Sequence, residues 1–187
     1  MFKTVVRGQI DKFEKEWAYD TSYLREILDG GGLDAVQAVN GVTKLGTYRR
    51  DVPIAPYYAA KIASVRQADC GPCTQLIVTM AERSGVHAAL LRALLAGRRD
   101  ELPADVCLAY DFARATLAHE PEADDLREQV VARWGKRGLI SIAFAITSAQ
   151  IYPTLKYALG HGRACTQIRV GDEDVTMASH PSLVSSV

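Results

Sequence analysis

The stretch Ile54-Ala55-Pro56-Tyr57-Tyr58-Ala59-Ala60-Lys61-Ile62-Ala63-Ser64-Val65-Arg66-Gln67-Ala68 runs directly into Asp69-Cys70-Gly71-Pro72-Cys73. Its first part is rich in alanine, the best helix former, and its only proline lies near the start, so it reads as a helix. Asp51-Val52-Pro53 sets the beginning, because a residue before proline avoids helical dihedrals. A second helix follows to Arg83 and stops at Ser84-Gly85. Asp69 offers an N-cap for it, with Cys70, Gly71 and Pro72 in a first turn where proline costs little. The i and i+3 spacing then puts both sulfurs on one helix face, close enough for a disulfide. Helix, cysteine pair and helix in direct succession decide the class: all-α.

Working outward toward the C-terminus, helices are predicted over His87–Ala96, Pro103–His119 and around Leu126, Val130 and Trp134. Gly135 and Gly138 bound the last of these, and Leu139–Leu159 forms a further helix that Pro153 should kink. Leu139–Tyr152 is the most apolar run, yet Ser141, Thr147, Ser148 and Gln150 interrupt it. It is shorter than the roughly 20 apolar residues of a bilayer span, so a buried helix is expected. Thr166–Val170 alternates like a strand but has no evident partner. The acidic residues after Gly171 read as a solvated end, and Pro181–Val187 as frayed.

Toward the N-terminus, Ile10, Phe13, Trp17, Leu24, Ile27 and Leu28 recur near helical spacing, with Asp20 restarting the helix as a cap. Gly30-Gly31-Gly32 stops it, and a second helix runs from Leu33 to Leu45. The expected organisation is a two-helix arm over 1–50, a helical core over 51–160 and a tail over 161–187.

Composition limits the function classes. The chain has 187 residues, 22 basic against 22 acidic, with 48% hydrophobic and 24% charged residues. That is too apolar for disorder. Zero net charge argues against a nucleic-acid partner held by phosphate neutralisation. Four cysteines are too few for a disulfide-stapled secreted scaffold. The first residues lack the apolar region of a signal peptide, so a cytoplasmic protein with no membrane partner is expected.

The cysteine pair carries the chemistry. The positive end of a helix dipole favours a thiolate on Cys70 or Cys73, although Asp69 opposes it. A thiolate beside a second thiol is what disulfide exchange and peroxide reduction require. Two other readings stand beside the redox one. The cysteines fit as small buried residues of a helix start. Alternatively, His161 and Cys165 with Cys70 and Cys73 make a four-ligand zinc set, if the two halves meet. Cys-Gly-Pro-Cys is also the redox sequence of thioredoxins, but that fold needs a strand leading into the motif, and here a helix does. The residues favour a redox pair, with neither metal nor cofactor expected.

An all-α chain with Cys-x-x-Cys at a helix start resembles the carboxymuconolactone decarboxylase superfamily, in its alkylhydroperoxidase AhpD-like branch. The resemblance runs from about Tyr57 to Gly160. It rests on the helix Tyr57–Ala68, the segment Val65–Cys73, the helix ending Ala81-Glu82-Arg83-Ser84-Gly85-Val86, and Tyr110-Asp111-Phe112-Ala113-Arg114. It implies a compact bundle assembled as a trimer or hexamer. It also implies that Cys73 attacks a hydroperoxide or disulfide substrate, that Cys70 resolves it, and that a thiol partner re-reduces the pair. The branch's relay glutamate and histidine fall on Tyr58 and Ile77, which cannot act as that base. Asp69, Gln67 and Gln75, and Tyr57 or Tyr58 facing from the preceding helix, are candidate helpers. Their bland roles are an N-cap for Asp69 and exposed helix positions for the glutamines. His119 and His161 read as partners of helix C-termini, and Cys107 as core. From a different class, the alternative is a catalytically silent oligomer that binds a small apolar ligand between helices.

Overall fold

The computed structural model describes residues 2–163 and 167–178. Cys165, the fourth ligand of the zinc reading, and the 181–187 tail lie outside them. The fold is all-α with one small hairpin. Its helices are α1 (Phe2–Trp17), α2 (Ser22–Glu26, continued by one π-turn, Ile27–Gly31), α3 (Gly32–Thr47), α4 (Ile54–Gln67), α5 (Gly71–Arg83), α6 (Ala88–Leu95), α7 (Ala104–Ala118) and α8 (Ala123–Ala158). Strands β1 (Gln167–Val170) and β2 (Glu173–Thr176) follow.

Helix α4 is the centre of the bundle, packed against α7, α8 and α5. Its alanines make this feasible, since Ala59, Ala60 and Ala63 let neighbouring backbones approach while Ile62 and Val65 fill the space beside them. One core cluster joins Tyr57, Ala60 and Ala63 to Phe112, Val130, Trp134, Ile142 and Ile146. A second, on the other side of α4, joins Ala59 and Ile62 to Val78, Leu91, Leu95 and the hairpin. The arm supplies two long helices, α1 and α3, linked by the short α2, and α3 lies on α8.

Three local expectations are corrected. First, the helix boundary expected at Gly135 is a kink, where two helical segments meet at φ 69° and ψ 177°, and the second segment continues through Pro153 to Ala158. That backbone conformation is one only glycine adopts easily. Gly138, expected to bound a helix, lies inside α8, where an added Cβ would sit 2.3 Å from the Trp134 Cβ. Second, β1 has a partner. β2 pairs with it antiparallel, Ile168 opposite Val175 and Val170 opposite Glu173, around the two-residue turn Gly171-Asp172. Only Val175 of β2 is buried, so its acidic residues hid the strand. Third, Cys107 is half-buried rather than core, its thiol near the Arg99 carbonyl.

By length and composition alone, α8 could cross a membrane. In the fold, however, Gly138, Ser141, Ile142, Ala145, Ile146 and Ala149 bury one of its faces inside the bundle, as expected of a core helix.

Candidate functional site

The link between α4 and α5 positions the cysteines. Asp69 turns the chain at φ 47°, a left-handed conformation that aspartate tolerates better than most side chains. The helix begins one residue later than expected. Cys70, not Asp69, is the N-cap residue, in extended conformation, and its carbonyl accepts from Thr74 N at 2.9 Å and Thr74 Oγ1 at 3.0 Å. The Asp69 side chain is exposed and makes no cap, while its carbonyl accepts from the Tyr157 hydroxyl at 2.8 Å. Arg163 adds a tie from beyond α8, its carbonyl accepting from Gly71 N at 3.1 Å.

Cys70 and Cys73 form a disulfide with their Cα atoms 5.2 Å apart. Both are buried, against Val65 and Ala149. The two sulfurs have different surroundings. Cys73 stands on the wall of a cavity of about 410 Å³, and Cys70 is not among the wall residues. The cavity lies between the arm and the core: Phe13, Tyr19 and Val39 close one side, Val65, Ile77 and Ala149 the other. Its lining is mainly apolar, in the manner of small-molecule sites.

Two groups in this wall were not visible as site residues in the sequence. The Tyr19 hydroxyl lies 4.0 Å from the Cys73 sulfur, in reach of a weak hydrogen bond. Its ring is held edge-on by Phe13 and Tyr23, with centroids 6.2 and 6.3 Å away, and the Lys156 ammonium sits 4.6 Å from the ring centre. Burial pushes the Tyr19 phenol up to about 12, so near neutral pH it is a proton donor, not a base. The same loss of water lowers Lys156, which is 1% exposed.

The second group is Lys61, whose ammonium donates to the Gly46 carbonyl at 2.6 Å and lies 4.9 Å from the Tyr57 ring centre. It is 8% exposed, and burial brings it down to about 8 from 10.5. The one signal in the sequence was a lysine inside Ala59-Ala60-Lys61-Ile62-Ala63, where an apolar side chain would be routine.

The expected helpers are placed elsewhere. The Tyr58 hydroxyl pairs with Ser84 Oγ at 2.9 Å, and Tyr57 donates to the Gly46 carbonyl at 2.7 Å. Ile77 lines the cavity with an apolar side chain. Gln75 is structural: its amide clamps the Arg169 backbone from both sides, at 2.8 and 2.9 Å. Gln67 is half-buried on α4. His119 ends α7 in the left-handed conformation. His161 follows α8 and joins the arm, with Nδ1 3.0 Å from Ser22 Oγ and Nε2 2.6 Å from Glu26. Sulfurs joined to each other are not zinc thiolates, and among the described residues no group of three metal-ligating side chains occurs.

No protein-family model matches this chain. Neither does any curated protein or solved structure.

Proposed function

We propose that this protein is a thiol–disulfide oxidoreductase of the hydroperoxidase type, with Cys73 as the substrate-facing sulfur and Cys70 as its resolving partner. The observation that carries the reading is the asymmetry of the pair: Cys73 opens onto an apolar cavity, and Cys70 is absent from its wall. An AhpD-like relationship, suggested by the order of helices and the position of the motif, agrees with the same assignment of roles.

In the proposed cycle, reduced Cys73 loses its proton and the thiolate attacks the outer oxygen of an organic hydroperoxide. The O–O bond breaks, the alkoxide takes a proton and leaves as an alcohol, and Cys73 becomes a sulfenic acid. Cys70 then attacks that sulfur, releasing water and closing the disulfide present in this structure. A dithiol re-reduces the pair and is itself oxidised to a disulfide, which balances the two electrons. The Tyr19 hydroxyl is suitably placed to donate toward the Cys73 thiolate. No carboxylate or imidazole stands on the described cavity wall to act as base.

The test is consumption of cumene hydroperoxide with dithiothreitol as electron donor. Turnover in the parent that is lost in Cys73→Ser supports the reading. Absence of turnover, with a disulfide that dithiothreitol cannot open, leaves the cavity as a plain ligand site in a catalytically silent protein. The same reading carries a homo-oligomer, which light scattering would contradict by returning a 20.4 kDa species at micromolar concentration.

A further inference from the structure

Lys61 poses a question that packing alone does not answer. An ammonium taken out of water is costly unless an anion accompanies it. Among the described residues no carboxylate pairs with it, and it is the only charged side chain on the cavity wall. Its one acceptor is the carbonyl of Gly46, in the last turn of α3, where helix carbonyls lack intrahelical partners. That carbonyl also receives the Tyr57 hydroxyl, so it would be satisfied without the lysine. An ammonium has three donors, and the contact with Gly46 uses one.

The remaining wall around Lys61 is apolar or neutral. Elsewhere the cavity is walled by Ser148 of α8, Val65 and Cys73 of α4 and α5, and Val39 and Thr43 of α3. A cavity of about 410 Å³ with one buried cation and a mainly hydrocarbon lining matches a ligand with the opposite arrangement: one anionic group on an apolar body. We infer that the cavity binds an apolar carboxylic acid, with its carboxylate on the Lys61 ammonium and its hydrocarbon part against the wall that carries Cys73. This deepens the oxidoreductase reading and rests on it only in making the substrate a hydroperoxide of such an acid. Binding of the acid itself needs no redox chemistry.

The experiment is calorimetric titration of the full-length protein at pH 7 with decanoate and, separately, with decanol, which shares the tail and lacks the charge. The expected result is at least ten-fold tighter binding of decanoate, a preference lost in Lys61→Met and kept in Lys61→Arg. Equal affinities for the two ligands, or a preference that survives Lys61→Met, overturn the inference; so does failure of both to bind. If Lys61→Met does not fold, the wild-type comparison alone still decides. The titration is repeated on Cys70→Ser/Cys73→Ser. Carboxylate preference there, with no hydroperoxide turnover in the parent, overturns the oxidoreductase reading and leaves this one standing. Turnover of cumene hydroperoxide with no carboxylate preference does the reverse.

Discussion

The Tyr19 hydroxyl stands 4.0 Å from the Cys73 sulfur although 54 residues separate the two along the chain. The contact joins the arm to the core at the disulfide. A phenol held at about 12 by burial remains protonated over the whole neutral range, so it stabilises a thiolate by donating and cannot remove the thiol proton.

Tyr19→Phe keeps the ring and its packing with Phe13 and Tyr23 and removes only the donor. One hydrogen bond to a sulfur anion is worth ~1 kcal/mol, so hydroperoxide turnover should fall roughly five-fold. Only the thiolate attacks, so turnover should rise with pH as Cys73 ionises, and should do so at higher pH in the variant than in the parent. A parent rate that is flat from pH 6 to 9 would reveal a base elsewhere.

The two cysteines should differ in what they trap. In Cys70→Ser, peroxide should leave a sulfenic acid on Cys73 that a cyclic dione labels; in Cys73→Ser, Cys70 should stay unlabelled. In the parent, mild oxidation should block alkylation of Cys70 and Cys73 while half-buried Cys107 reacts equally before and after. Peptide mass spectrometry reads all three sites. Full alkylation of Cys70 and Cys73 after peroxide would contradict the cycle.

Lys61 should make stability depend on pH in an unusual direction. Its value is lowered from 10.5 to about 8 in the folded chain, so between those limits the unfolded chain holds more protons. Stability then rises with pH across that window, and below about 8 the whole cost is present. The depression corresponds to on the order of 3 kcal/mol. Loss of the hydrogen bond to Gly46 returns ~1 kcal/mol of it. In the absence of ligand, Lys61→Met should therefore be about 2 kcal/mol more stable than the parent at pH 7. The advantage should shrink by pH 10.5. Urea unfolding at both pH values measures this, and a variant less stable at pH 7 would contradict it.

Arg83 fastens the arm. Its guanidinium lies 4.0 Å from the Trp17 ring centre and donates to the Glu16 carbonyl at 2.7 Å. A cation–π contact of this kind is worth about 0.5–2 kcal/mol. Arg83→Ala should speed amide exchange in α1 and alkylation of reduced Cys73, with α4 unchanged. Identical α1 exchange in the two proteins would show that the arm is held by other contacts.

The sequence by itself determined what short-range physics controls. Alanine runs, proline positions and glycine stops placed the helices and the all-α class, and the i, i+3 spacing brought the two sulfurs together. The departures are local as well: the N-cap is Cys70 because Asp69 adopts a left-handed turn, and β2 carries no alternating pattern because only one of its residues is buried. Tertiary structure alone decided the rest. The cavity wall is drawn from α1, α2, α3, α4, α5 and α8, so no window of sequence contains it. Tyr19 became the neighbour of Cys73, in place of Tyr58, because α4 turns the Tyr58 hydroxyl toward Ser84 while the arm folds back over α5. Lys61 acquired its character for the same reason. A lysine is an ordinary exposed cation until helix packing removes its water, and that happens only when chain segments distant in sequence close around it.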